Sequence, residues 1–146
     1  MDLEPSNTAT ELARVGIAWL NSLSEFGVAE RSRLRTGHTD DYVGEDRRKL
    51  IGMPAAGRDE LVEQIASYWN LGAGAPEFSM DEVLAVRGDR LVLFRFRICY
   101  GPAYETSTLL LAGYTTDGRR CRAIQFDVED LEVAVAELDR LHWESR

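Results

Sequence analysis

Cysteine is scarce in this 146-residue chain: there are two, Cys99 and Cys121, and neither belongs to a CxxC or Cys/His cluster. That spacing does not match a zinc site, so no metal is expected. Two thiols in an otherwise cysteine-poor chain read as reduced and buried. Positive charge is also in deficit, with 17 Lys and Arg against 25 Asp and Glu and a formal net charge of −8. A basic stripe is what phosphate backbones and anionic bilayers require, so neither nucleic acid nor a membrane is an expected partner. No apolar run approaches the ~20 residues that span a bilayer. No basic-then-apolar leader opens the chain, and a cytoplasmic location is expected. There is no glycine-rich phosphate loop, and no serine or cysteine stands in a nucleophile signature. No cofactor is expected.

What remains is an ordinary globular composition, 45% hydrophobic and 29% charged, in a chain long enough to bury about two-thirds of its unfolded surface as one domain, residues 1–146. Thr8 and Glu11 stand at capping-box spacing. Leu12, Val15, Trp19, Leu23 and Phe26 then follow as an amphipathic helical stripe, which Gly27 stops. Residues 29–35 fit a short second helix, and Gly37, Asp40 and Asp41 break it. Tyr42-Val43 opens a short strand running into Glu45–Arg48, followed by a loop through Gly52, Pro54 and Gly57. Residues 58–70 form another amphipathic helix, with Leu61, Ile65 and Tyr68 or Trp69 inward. Gly72, Gly74 and Pro76 end it.

The second half has period two. Strands are expected over 78–86, 91–100, 104–116 and 120–126, with Gly88-Asp89 and Asp117-Gly118 as hairpin turns. In the clearest strand, Val92, Phe94, Phe96, Ile98 and Tyr100 share one face. Leu91, Leu93, Arg95, Arg97 and Cys99 share the other, which reads as an outer face or a dimer contact. Asp127 caps a last helix with Leu131, Ala134, Leu138 and Leu141 on its inner side.

Two segments carry a resemblance. Asp41-Tyr42-Val43-Gly44-Glu45-Asp46-Arg47-Arg48 with Gly57-Arg58-Asp59-Glu60-Leu61, and Phe126-Asp127-Val128-Glu129-Asp130-Leu131 with Ala134 and Leu138-Asp139, resemble the short strand, "DRR" step, "GRD" helix start, closing strand and final helix of the nuclear-transport-factor-2-like (NTF2-like) superfamily. The likeness spans roughly residues 8–141 and is nearest to SnoaL-like domains. It implies an α+β cone: a strongly curved mixed or antiparallel sheet wrapped around N-terminal helices, with a C-terminal helix. It also implies an apolar pocket for a small hydrophobic molecule and a homodimer. The superfamily holds cofactor-free acid–base enzymes (isomerases, cyclases, dehydratases, epoxide hydrolases) and non-catalytic dimerisation or regulatory modules alike, and a shared fold does not carry a shared activity.

Such enzymes use a desolvated carboxylate. Asp46, four residues from Tyr42 on one strand face, is the first catalytic candidate; its competing role is an ion pair with Arg58 or Arg47. Asp127 is the second, against a simple helix-capping role. Trp19, Tyr42, Trp69, Phe94, Phe96 and Tyr100 are the candidate pocket wall, and at their spacings they are also plain core. His38 reads as a solvated loop histidine, and His142 as a cation at a helix C-terminus.

Overall fold

The computed structural model describes residues 8–23, 27–49, 53–69, 76–100 and 104–144. Ten elements follow in order: α1 (Thr8–Asn21), α2 (Val28–Thr36), β1 (His38–Asp46), β2 (Met53–Ala56), α3 (Arg58–Trp69), β3 (Glu77–Arg87), β4 (Leu91–Tyr100), β5 (Tyr104–Tyr114), β6 (Arg120–Phe126) and α4 (Leu131–Glu144). The fold is α+β, with one mixed sheet in the order β2-β1-β6-β5-β4-β3. Strands β3 to β6 meander antiparallel, while β1 lies parallel to β6 and antiparallel to β2. Gly88 (φ 59°) and Gly118 (φ 87°) hold the positive angles that the two hairpin turns require. The first turn is one residue longer than expected, since Arg87 pairs directly with Leu91. Among the described residues no helix is long and apolar enough to cross a membrane.

The period-two pattern of β4 divides the core into two layers. Val92, Phe94, Phe96 and Ile98 join Leu110, Ala112 and Tyr114 of β5, Phe78 and Val83 of β3, and Ala9 and Ala13 of α1. On the opposite face Leu93 packs with Leu109, Leu111, Ile124 and Phe126 under Ala134 and Leu138 of α4. A third cluster, Leu34, Val62 and Ile65, joins α2 to α3, with Trp19 and Leu20 of α1 against it. Asn21, at the end of α1, closes the edge of the sheet. Its side-chain amide donates to the Phe78 carbonyl at 2.6 Å and its oxygen accepts from the Phe78 N–H at 2.8 Å, as a neighbouring strand would.

Several elements differ from the sequence reading. Helix α1 buries Ala9, Thr10 and Ala13, whereas Val15 is 66% exposed. Alanine lets the helix axis approach the sheet closely, and that closeness outweighs the larger apolar surface of valine. Phe26 lies outside the described residues. Strand β1 begins at His38 and passes through Asp40 and Asp41, because both carboxylates sit on exposed positions and Arg58 donates to Asp40 at 2.6 Å. Residues 53–56, expected as loop, form edge strand β2, where Pro54 needs no inner partner for its missing N–H. Helix α4 starts at Leu131. The turn before it closes with Asp130 N–H on the Asp127 carbonyl, and the Asp130 carbonyl takes the first helical bond, from Ala134. Asp130 therefore occupies the N-cap position expected of Asp127, and Leu131 is 40% exposed. The second face of β4 is not open throughout, since α4 buries Leu93 completely.

Leu138→Ala removes a fully buried side chain and is expected to cost about 2–5 kcal/mol in urea unfolding. Val15→Ala is expected to stay within about 0.5 kcal/mol. The reverse order would contradict the layering described here.

Candidate functional site

The inner sheet face is only partly covered by helices. Between them lies a cavity of about 280 Å³. Phe78, Phe96, Ile98, Leu110 and Ala123 form its sheet wall, Ile17 and Leu20 of α1 and Leu61 and Ile65 of α3 its helical wall, and Tyr42, Gly44, Glu45, Asp46 and Arg48 its rim along β1. A second space of about 200 Å³ lies nearer the hairpin ends, against Leu12, Ala13, Trp19, Leu34, His38, Phe94 and Tyr114. Ile17, Leu20, Ile65 and Arg120 line both. Apolar walls with a few convergent polar groups are the usual make-up of a small-molecule site.

The polar groups converge because two strands are irregular. On β5, Gly113 and Tyr114 are consecutive; their partners on β6 are Arg122 and Arg120, so Cys121 is an extra, bulged residue. Strict alternation would put Arg120 on the face of Ile124 and Phe126, beneath α4. The bulge turns it to the inner face opposite Tyr114. Between the pairs His38↔Arg120 and Val43↔Arg122, β1 carries four residues against one on β6. Tyr42 lies in that wide bulge and is 3% exposed. The Arg120 guanidinium stands 5.8 Å from the Tyr42 ring centroid, and the His38 ring meets Tyr42 edge-on at 5.0 Å.

His38, expected in a solvated loop, is instead 5% exposed at the start of β1. Its Nδ1 lies 2.7 Å from the Leu34 carbonyl, which fixes Nδ1 as the protonated nitrogen. Nε2 then accepts from Arg120 Nε–H at 3.2 Å. Burial, and next the neighbouring Arg120 charge, lower the imidazole pKa to about 3, so the ring is neutral at physiological pH. Burial raises the phenol pKa of Tyr42 and Tyr114, with Arg120 opposing the shift. Gly44 is required by close approach: a Cβ there would fall 2.7 Å from the Tyr42 hydroxyl.

Asp46 does line the cavity, in an ion pair whose partner is Arg48 rather than Arg47 or Arg58. Arg48 Nε donates to Oδ1 at 2.8 Å and Nη2 to Oδ2 at 2.5 Å, while the Arg48 backbone N–H adds a bond at 3.1 Å. Arg47 is held by Glu45 and Glu137, and Arg58 by Asp40. Asp127 does not reach the cavity lining; its Oδ2 accepts from the Lys49 N–H at 2.9 Å and ties the segment after β1 to the base of α4. Of the expected wall, Tyr42 and Phe96 line the larger cavity, and Trp19 and Phe94 the smaller. The side chains of Tyr68, Trp69 and Tyr100 lie outside the described residues. His142 sits in the last turn of α4 as expected. Arg95 pairs with Glu82, and Arg97 with Asp81 and Glu105, on the outer face. Cys99 and Cys121 are free thiols. Among the described residues no three His, Cys, Asp or Glu side chains gather into a metal-holding group. Arg120 was not among the sequence candidates; its inward direction depends on a bulge that alternation alone does not reveal.

No protein-family model matches the chain, and no curated protein matches it. Solved structures do. An NTF2-like protein from Anabaena variabilis shares 16% identity at a TM-score of 0.59, over 86% of this chain and 92% of that one. A proposed isomerase of the SnoaL-like family from Agrobacterium tumefaciens shares 13% at 0.56, over 82% and 96%. An LEH-like epoxide hydrolase from Mycobacterium tuberculosis shares 19% at 0.55, over 88% and 87%. At these identities the likeness establishes the fold, which is the NTF2-like cone with a C-terminal helix.

Two outcomes test the site's internal geometry. Because His38 binds its proton at a pKa of about 3 when folded and about 6.5 when unfolded, the unfolded state holds the extra proton between those values. Stability from this group is complete above pH 6.5 and is lost as pH falls, by about 1.4 kcal/mol at pH 5.5. His38→Asn keeps a donor for Leu34 and should flatten this part of the pH profile in denaturant titrations; an unchanged slope would refute the assignment. Gly44→Ala should cost about 1–3 kcal/mol, and less in a Tyr42→Phe background; equal costs in both backgrounds would mean that the two side chains do not meet.

Proposed function

We propose that this NTF2-like chain binds a small hydrophobic molecule in the cavity between α1, α3 and the inner sheet face. The observation that carries the reading is the 280 Å³ space whose wall is mainly Ile17, Leu20, Leu61, Phe78, Phe96, Ile98 and Leu110. Burying a ring compound there removes apolar surface from water on both sides, at about 25 cal/mol per Å². The Tyr42 hydroxyl makes no hydrogen bond with the described residues and is available to orient a ligand carbonyl.

A cofactor-free acid–base enzyme of the isomerase, cyclase, dehydratase or epoxide-hydrolase kind is the second reading. It is favoured by one observation, the position of Asp46 on the cavity rim. The bidentate grip of Arg48 stabilises the carboxylate anion, which suits positioning a water or substrate better than donating a proton. Self-association is the third reading, as a dimerisation or regulatory module. Away from the β3–β4 turn, Arg95 with Glu82 and Arg97 with Asp81 and Glu105 make an outer-face patch of both signs, which a second copy can match across a twofold axis. Light scattering that finds only monomer at micromolar concentration removes that reading.

Thermal-shift titration against steroids, aromatic polyketide-like rings, terpenoid epoxides and fatty acids tests the first reading. A ligand at a hundredfold its Kd is expected to stabilise the fold by about 2.7 kcal/mol. Ala123→Leu, which pushes a larger side chain into the cavity, is expected to weaken that ligand at least about tenfold, or roughly 1.4 kcal/mol. Silence across all four classes would reject the reading. Asp46→Asn is expected to lower the melting temperature while leaving the ligand-induced rise in place. Retained binding with abolished turnover of a hit compound would favour the enzyme.

A further inference from the structure

We infer that Arg120 is an anion subsite and that the molecule held in the cavity is a ring acid, its carboxylate against the guanidinium and its apolar body against Phe78, Phe96 and Leu110. The inference rests on the hydrophobic-ligand reading above and specifies the chemistry of that ligand.

Charge accounting at the cavity wall points to it. The acids on the rim are already engaged, Asp46 by Arg48 and Glu45 by Arg47. Arg120 meets no carboxylate among the described residues. Its Nε–H is taken by His38, which is uncharged, and its face lies over the Tyr42 ring. Among the described residues one positive charge is therefore left without an acidic partner at the wall of a mainly apolar space, inside a chain whose net charge is −8. Arg120 is half-buried, and a charge partly withdrawn from water gains from a partner of opposite sign. The bulge at Cys121 is what places it there; on a regular strand Arg120 would face α4.

The geometry favours a carboxylate. With Nε held by His38, the two terminal nitrogens of the guanidinium are left for a planar two-oxygen partner, the arrangement in which arginine binds carboxylates in a fork. The bond to His38 and the contact with Tyr42 fix the plane of that fork before any ligand arrives. Tyr42 lines the same cavity with a hydroxyl that can donate to a ligand oxygen. Because Arg120 also borders the smaller space, the acid group sits at the junction and the ring body extends from it into the larger one.

Isothermal titration of the purified chain with matched compounds tests this: benzoate, 2-naphthoate and a steroid carboxylate, each against its carboxamide and methyl ester. The acid is expected to bind at least about tenfold more tightly than its neutral counterparts, as a charge-assisted pair should. Arg120→Gln should remove that preference by weakening the acid to near the carboxamide's affinity, while Arg120→Lys should retain part of it. Neutral compounds that bind the unaltered chain as tightly as the acids overturn the carboxylate subsite and leave the hydrophobic-ligand reading standing. An acid preference that survives Arg120→Gln overturns the role of Arg120. Failure of every compound, acid and neutral alike, overturns both readings. If Arg120→Gln does not fold by circular dichroism, the acid-to-amide ratio on the unaltered chain and on Arg120→Lys decides.

Discussion

The central strands of this protein are apolar on both faces, and most of its architecture follows from the need to cover them. Leu93, Leu109, Leu111, Ile124 and Phe126 on one side require a lid of matching length, and α4 supplies it with Ala134 and Leu138. Phe94, Phe96, Ile98 and Leu110 on the other require one too, but α1 reaches them through small side chains and α3 stands further along the sheet. One face is sealed, and the other retains an unfilled space. In a close-packed interior such a space is an exception, and here it borders β1 and β6, whose ladders carry bulges.

Those irregularities also decide what could be read from the amino-acid order. Val92, Phe94, Phe96 and Ile98 alternate without interruption through a strand with no register shift against β5, and their common face is legible directly. The glycines of the two turns are legible for the same local reason, since only a positive φ explains them there. The resemblance through Asp41–Arg48 and Gly57–Leu61 extends that reading to the cone-shaped α+β fold, but not to β2, which forms over residues expected as loop. The site is less legible. His38 and Arg120 come from opposite ends of the chain and meet because β1 and β6 each carry extra residues. Every residue beyond a bulge changes face, so alternation gives the wrong side for Arg120. In α1 the failure is of another kind: Ala9 and Ala13 matter for being small, and hydrophobicity ranks them below Val15.

Around the cluster of Leu34, Val62 and Ile65, the helical layer is tied together by surface charge. Arg31 to Glu63 and Arg35 to Asp59 join α2 to α3, and Arg58 to Asp40 joins α3 to β1. Each pair has an exposed partner and contributes about 0–1 kcal/mol, less in salt. By contrast, the joint between α1 and the sheet edge at Asn21 is made of two directed hydrogen bonds to backbone. The wall formed by α1 is therefore anchored at its far end, while the wall formed by α3 rests on screened contacts and the small cluster of Leu34, Val62 and Ile65. Of the two walls, α3 is the more lightly tethered, on the side of the rim where Asp46 and Arg48 sit.

The parallel pairing of β1 with β6 also orders events in time. Val43 sits beside Arg122 and Gly44 beside Ala123, across most of the chain's length. Contacts so distant in sequence close late, because the entropy of the intervening loop must be lost before they form. During synthesis β6 emerges after α1, α3 and strands β1 to β5. Until it does, β1 has only the short β2 beside it in the sheet, and Arg120 is not yet there to meet His38 and Tyr42. The cavity is thus closed by β6, the last of its walls to be made, against surfaces of α1, α3 and β3 to β5 that precede it.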